Sequence, residues 1–192
     1  LCAGARPLIF VDTLCQDSAS AQPMIDEFRR CAVAAGISPD AVTGSTEDNV
    51  VTTQTGIGVT IIGVIPDGDL PKALDGDIVV CVGAPISAPD DDVTPDRPEI
   101  VTLDEVRALM ASGKVHDCVP VGSHGVAWEA EQLSSTAGLR IESQHTDVNL
   151  TRSGGPSTCL VLACASGNVE ELCGLVAPER PWAVIGHLSS VV

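Results

Sequence analysis

Apolar positions along the chain alternate between strand-like runs and helix-like periods. Pro7 to Val11 forms a short apolar strand after the turn Gly4 to Pro7, with Asp12 at its carboxyl end, where polar side chains often face a ligand. From Ala21 to Ala35, Met24, Ile25, Phe28, Cys31, Ala32 and Ala35 repeat with helical period, and Gly36 supplies a C-cap. Gly56 to Ile65 is rich enough in Val and Ile to predict a strand buried on both faces.

Pro66 to Pro71 is turn-forming and marks a junction, so residues 1–65 and 69–192 are expected to be separate domains. Beyond it, Asp77 to Gly83 predicts a strand. A proline-rich loop from Ala84 to Pro98 carries Asp90, Asp91, Asp92 and Asp96. Leu103, Val106, Leu109 and Met110 predict a helix whose N-cap is Thr102, with Glu105 completing a capping box. A strand from Val115 to Val121 leads through Gly122-Ser123-His124-Gly125 into a helix that stops before Gly138. A buried strand follows at Thr158 to Ala165, then a helix at Val169 to Leu175 and a last strand at Trp182 to Leu188. Such alternation predicts an α/β or α+β fold, with a mixed sheet in the second domain.

The composition narrows the function. With 44% hydrophobic residues but only 2% aromatics, the core must be built from Val, Ile, Leu and Ala. The longest apolar stretches fall short of the ~18 residues a membrane span requires. Ten basic residues against 26 acidic ones give a net charge of −16, which repels nucleic acid and anionic lipid surfaces. An anionic substrate would need backbone donors or Mg²⁺ to offset that field. None of the eight cysteines forms a CxxC pair, so buried free thiols in a reducing cytoplasm are expected, not disulfides or a zinc site.

Two polar segments carry candidate chemistry. In Val42 to Asn49, Gly44 can open backbone N–H groups toward a phosphate, while Glu47 and Asp48 can hold a hard cation. A solvated turn is the simpler reading of that composition. Gly122, Ser123, His124 and Gly125 are small enough for close ligand approach, although a strand-to-helix turn needs glycine in any case. His116 and His187 sit among apolar residues and read as structural. No GxxxxGK[ST], GxGxxG or GxSxG pattern occurs.

An ordered set of segments resembles the aminoimidazole ribonucleotide synthetase (PurM-like) superfamily, which includes thiamine-monophosphate kinase, selenophosphate synthetase and a hydrogenase maturation factor. GARPLIFVD, Gly4 to Asp12, resembles its GAxPLxxxD stretch, and TGST, Thr43 to Thr46, stands where the superfamily has GG[DE]T. GIGVTIIG from Gly56 resembles the following strand, and DGDIVVCVG from Asp75 resembles the start of the C-terminal domain. SHGV from Ser123 takes the place of an SDGL or GGGF loop, and WAVIGH from Trp182 resembles the terminal strand. The pattern around Val42 to Asn49 is most similar to the α-ribazole kinase branch, which serves cobamide salvage.

The resemblance implies a PurM-like fold lacking roughly its first third, in which residues 1–65 end an ATP-binding domain. It implies ATP and Mg²⁺ as cofactors, phosphoryl transfer to a small-molecule acceptor, and a homodimer. Asp12 would be catalytic, Gly44, Thr46 and Glu47 would hold the nucleotide, Glu47 and Asp48 the metal, and Gly122 to Gly125 the acceptor. Ser45 replaces an acidic residue of the superfamily motif, which leaves Glu47 and Asp48 as the nearby metal ligands, and His124 replaces the acid of SDGL, which implies a different acceptor. Alternatives are an ATP-dependent synthetase or cyclo-ligase, and a noncatalytic remnant that binds a nucleotide or a partner chain. The 192-residue chain alone is expected to be inactive.

Overall fold

A computed structural model describes residues 1–65 and 70–191. The chain divides into two compact units, Ala5–Asp69 with Leu1, and Leu70–Val192 with Cys2–Gly4. Most of the junction turn expected at Pro66 to Pro71, namely Pro66, Asp67, Gly68 and Asp69, lies outside the described residues.

The first unit is a three-stranded sheet under one helix. Strand β1 (Arg6–Leu14) is central; β2 (Val42–Thr46) pairs parallel on one side and β3 (Ile57–Val64) antiparallel on the other. Helix α1 (Ser18–Ala34) covers the face that carries Phe10, Asp12 and Leu14, and Phe10 packs with Ala32, Ile37 and Phe28. The helix starts earlier than its apolar period because Asp17 is the N-cap, its carboxylate accepting from Ser20 N at 3.0 Å.

Two expectations are corrected here. Val42 to Thr46 is an edge strand, not a turn, because its main chain pairs in register with Phe10 to Leu14. Strand β3 is not buried on both faces. Ile57, Val59 and Ile61 share the α1 face yet are about half exposed, and Ile62 and Val64 on the strand are comparably open. The helix packs on β1 and β2, so the other edge strand is left uncovered among the described residues.

The second unit is a five-stranded sheet, β5-β7-β4-β8-β6, built from β4 (Ile78–Val82), β5 (Val115–Pro120), β6 (Leu139–Ser143), β7 (Leu160–Cys164) and β8 (Trp182–Ser190). All four pairings are antiparallel, whereas the strand and helix alternation had suggested mixed pairing here. The crossover through α2 (Leu103–Ala111) does make β4 and β5 run parallel, but β7 inserts between them. Parallel and antiparallel pairs instead meet in the first unit.

Helix α3 (Val126–Ala137) seals a core of Val79, Cys81, Val121, Val126, Leu133, Val161 and Ile185, and α4 (Val169–Cys173) is short. The capping box of α2 is present, with Thr102 N donating to Glu105 Oε2 at 2.8 Å and Glu105 N to Thr102 Oγ1 at 3.2 Å. Glu105 does a second job. Buried beside Arg180, it pairs with that guanidinium at 3.0 Å and accepts from Ala177 N at 2.9 Å. Arg180 also donates to the carbonyls of Arg97 and Pro98, which ties the end of the proline-rich loop to α2.

All eight cysteines are free thiols; Cys81, Cys118, Cys159 and Cys164 are buried. Among the described residues no helix is long and apolar enough to cross a membrane.

Candidate functional site

The first unit places Asp12 inside strand β1 rather than at its end, on the face under α1. Its residue is only 4% exposed. In the parallel register its partner is Gly44, and an added Cβ there would lie 2.3 Å from Asp12 Oδ1. The missing side chain of Gly44 is therefore the space the Asp12 carboxylate occupies. A cavity of 230 Å³ opens beside it, lined by Asp12, Ser18, Ile25, Arg29, Gly44 and Thr46 among others. Among the described residues no side chain or main-chain group pairs with the Asp12 carboxylate, and since no fully buried side-chain oxygen lacks a partner there, its oxygens open onto this cavity rather than into dry core.

Thr46 lines this cavity while Glu47 and Asp48 line a second one, and the side chains of all three have partners of their own. Asp48 Oδ1 accepts from Ser18 N at 2.9 Å and Ser18 Oγ at 3.0 Å, and its Oδ2 accepts from Thr46 Oγ1 at 2.7 Å. The N–H of Ser18, followed by the two hydroxyls, holds the Asp48 carboxyl below its usual range. Asp48 thus ties the β2 end to the start of α1 across 30 positions of sequence. Glu47 folds back on its own loop, Oε1 accepting from Asn49 N at 2.7 Å and Val50 N at 3.0 Å. That loop rims a second hollow of 330 Å³, which includes Gln16, Asp17, Thr52 and Thr55. Thr52 Oγ1 donates to Cys15 O at 2.9 Å and Thr55 Oγ1 to Gln16 Oε1 at 2.7 Å, so the rim is stitched to the end of β1.

Chemically, the donor set does not form a closed cation cage. Among the described residues no group of three or more His, Cys, Asp or Glu side chains is arranged to hold a metal ion. Mg²⁺ in phosphoryl-transfer sites commonly takes one or two carboxylates and completes its shell with water and substrate phosphates. Glu47 Oε2 and the one remaining lone pair of Asp48 Oδ2 suit that kind of partial ligation.

In the second unit, Gly122 to Gly125 forms the turn from β5 into α3. Gly125 is the N-cap at φ +84°, and a Cβ there would meet the Arg152 carbonyl at 2.8 Å. Gly122 N donates to Glu129 Oε1 at 3.2 Å, while Gly122 O accepts from Gly154 N at 3.0 Å. Backbone packing against residues 150–152 therefore requires glycine at 125. Ser123 and His124 remain exposed, and the His124 ring stacks on Trp128 with centroids 4.8 Å apart. His116 has a structural partner, its Nδ1 lying 2.9 Å from both oxygens of buried Asp77. His187 sits 3.3 Å from Glu142 on the surface.

Sequence reasoning did not single out Ser18 or Arg29. Ser18 follows the N-cap Asp17, a recognisable helix start, but its contact with Asp48 depends on the β1 and β2 pairing. Arg29 lies on the exposed flank of the helical period and reaches the cavity only because α1 lies beside β2.

The sequence matches no protein family profile and no curated protein. Solved structures match over nearly the whole chain. Hydrogenase maturation protein HypE in complex with ATP superposes with a TM-score of 0.73 at 15% identity, covering 99% of this chain and 67% of HypE. Thiamine-monophosphate kinase from Stenotrophomonas maltophilia K279a gives 0.66 at 14% identity, covering 99% and 72% of the two chains. T. maritima PurL complexed with ATP gives 0.66 at 13% identity, covering 99% of this chain and 35% of PurL. The sheets, helices and their order together establish that this chain has the PurM-like fold.

Proposed function

We propose that the protein works in ATP-dependent phosphoryl transfer to a small-molecule acceptor, with residues 1–65 as the closing part of an ATP-binding domain. The observation that carries this is the buried Asp12 carboxylate, unpartnered among the described residues and facing a cavity, in a fold whose solved examples include ATP complexes. A carboxylate under a helix whose oxygens open only onto a cavity is placed to meet a ligand, which is characteristic of functional sites.

In this reading Asp12 faces the reacting end of the site. Gly44 and Thr46 border the nucleotide, and Glu47 and Asp48 supply carboxylate oxygens to Mg²⁺, which would neutralise phosphate charge when bound. Gly122 to Gly125 faces the acceptor. A chain upstream of Leu1 would add the rest of the ATP site. The similarity around Val42 to Asn49 favours an acceptor of the α-ribazole kind. The uncovered β3 edge, with Ile57, Val59 and Ile61, suits a second copy of the chain. The likeness to PurL supports a second reading, an ATP-dependent synthetase.

ADP release measured with and without candidate acceptors separates these readings: a kinase requires an acceptor hydroxyl, and a protein with neither turnover nor nucleotide binding in its longest natural form refutes both. In that form Glu47→Gln should leave stability within about 0.5 kcal/mol, because the amide carbonyl can still accept from Asn49 and Val50. Loss of one carboxylate ligand should lower Mg²⁺ affinity or turnover about 10-fold to 100-fold. Unchanged Mg²⁺ dependence would remove Glu47 from the site.

A further inference from the structure

The cavity beside Asp12 has a directional chemistry. Of the four hydroxyl residues on the lining, three have given away their protons: Ser18 Oγ and Thr46 Oγ1 donate to Asp48, and Ser45 Oγ donates to the Thr46 carbonyl. What they can present to the cavity is lone pairs, and Asp12 adds two carboxylate oxygens that accept nothing from the described residues. Gly44 withholds a methyl group that would close the carboxylate off. Ile25 provides one apolar wall. The cation on the lining, Arg29, is half exposed and lies 3.6 Å from Asp26 on its own helix.

A carboxylate and acceptor oxygens that open onto one cavity attract a group that brings its own N–H donors and positive charge. We propose that this cavity binds a small organic cation, a protonated amine with at least two N–H donors, through Asp12. A bare metal ion fits less well, since a single carboxylate among hydroxyl oxygens falls short of the ligand set a hard cation takes from protein. A volume of 230 Å³ admits a few heavy atoms with their hydration, so the bound group is a small molecule or the end of a larger one. The amine site stands on the cavity and does not rest on the function proposed above, whose acceptor is assigned to Gly122 to Gly125.

The test is a titration of the ¹⁵N-labelled 192-residue chain with ethanolamine hydrochloride, followed by amide chemical shifts, with ethylene glycol and inorganic phosphate as charge controls. Saturable shifts are expected at Ser18, Gly44 and Thr46 with ethanolamine, at least about 10-fold weaker affinity for ethylene glycol, and no competition from phosphate. Asp12→Asn should weaken ethanolamine binding at least about 10-fold, whereas Asp40→Asn, a surface change that tests attraction to overall negative charge, should leave it within about 2-fold. Asp12→Asn should also raise the melting temperature without ligand, which a carboxylate kept for structure would not do. Ile25→Phe, which fills the cavity from its apolar wall, serves if Asp12→Asn does not fold, and should abolish the shifts. Undiminished ethanolamine binding in either variant, or phosphate displacing ethanolamine at Gly44, overturns the proposal. ATP binding assayed on the longest natural form separates the outcomes: retained ATP binding without an amine site sinks this inference alone, and the reverse result sinks only the phosphoryl-transfer reading.

Discussion

Gly44 and Asp12 face each other across parallel strands so closely that one residue's missing side chain is the other's seat. A Cβ on Gly44 would lie 2.3 Å from Asp12 Oδ1, 2.4 Å from Cγ and 2.6 Å from the main-chain oxygen. Gly44→Ala should therefore destabilise the first unit by about 1–3 kcal/mol, the usual cost of forcing a methyl group into occupied space. Part of that cost comes from the carboxylate and part from the backbone. In an Asp12→Ala background the penalty should shrink without vanishing, and a double-mutant cycle of urea midpoints measures the coupling. Strict additivity would show that the two residues do not compete for this space.

Arg180 holds the buried charge of Glu105 in the second unit. Arg180→Met keeps much of the volume but leaves that carboxylate with only backbone and hydroxyl donors, at an expected cost of about 3 kcal/mol. Replacing both residues by Met and Leu should recover most of the loss, since the desolvation penalty of the pair disappears with it. Denaturant unfolding of the three variants checks the order. A double variant less stable than Arg180→Met would mean that the pair contributes more than it costs.

Acid should unfold the second unit through its carboxylates. Burial pushes the Glu105 carboxyl up, but the N–H groups of Thr102 and Ala177, with Arg180 and the Thr102 hydroxyl, outweigh it and hold the group below its usual range. The Arg97 guanidinium beside Glu99 lowers that carboxyl to about 2. For groups depressed in the folded state, the contribution to stability is complete above the ordinary glutamate pKa, near 4.5. It is lost as pH falls from there toward about 2, the folded value of Glu99. Stability measured against pH should fall across that window, and Glu105→Gln should flatten the fall. An unchanged slope in Glu105→Gln would remove that carboxyl from the transition.

Thiol reactivity should divide the cysteines. A hydrogen bond from Cys118 stabilises the Cys2 thiolate against the opposing effect of burial and lowers its pKa to about 7. Burial, with Asp77 nearby, pushes Cys164 up to about 11. Iodoacetamide at neutral pH should label Cys2 early, because the thiolate is the nucleophile, and should leave Cys81, Cys118, Cys159 and Cys164 unmodified until the chain unfolds. Mass spectrometry of timed samples reads the order; early labelling of Cys81 or Cys159 would contradict the core packing.

The sequence by itself determined the elements whose signals are local. The Thr102 and Glu105 capping box, the period of α1 and the apolar runs of β4 and β7 are written in neighbouring residues, because capping and amphipathicity act within a turn or two. It also pointed to Asp12 and Gly44, though not to their contact. The polar strand β2 reads as a turn until β1 lies beside it, since an exposed edge strand needs no apolar run. The Val and Ile of β3 fit a core strand and an uncovered edge equally well, and the position of α1 over β1 and β2 decided between them. Asp48 is a generic acidic residue in sequence and a clasp on Ser18 in three dimensions. Burial, register and the spending of a hydroxyl's proton depend on groups far apart along the chain. The acceptor-lined cavity around Asp12 could therefore emerge only when the tertiary structure brought β1, β2 and α1 together.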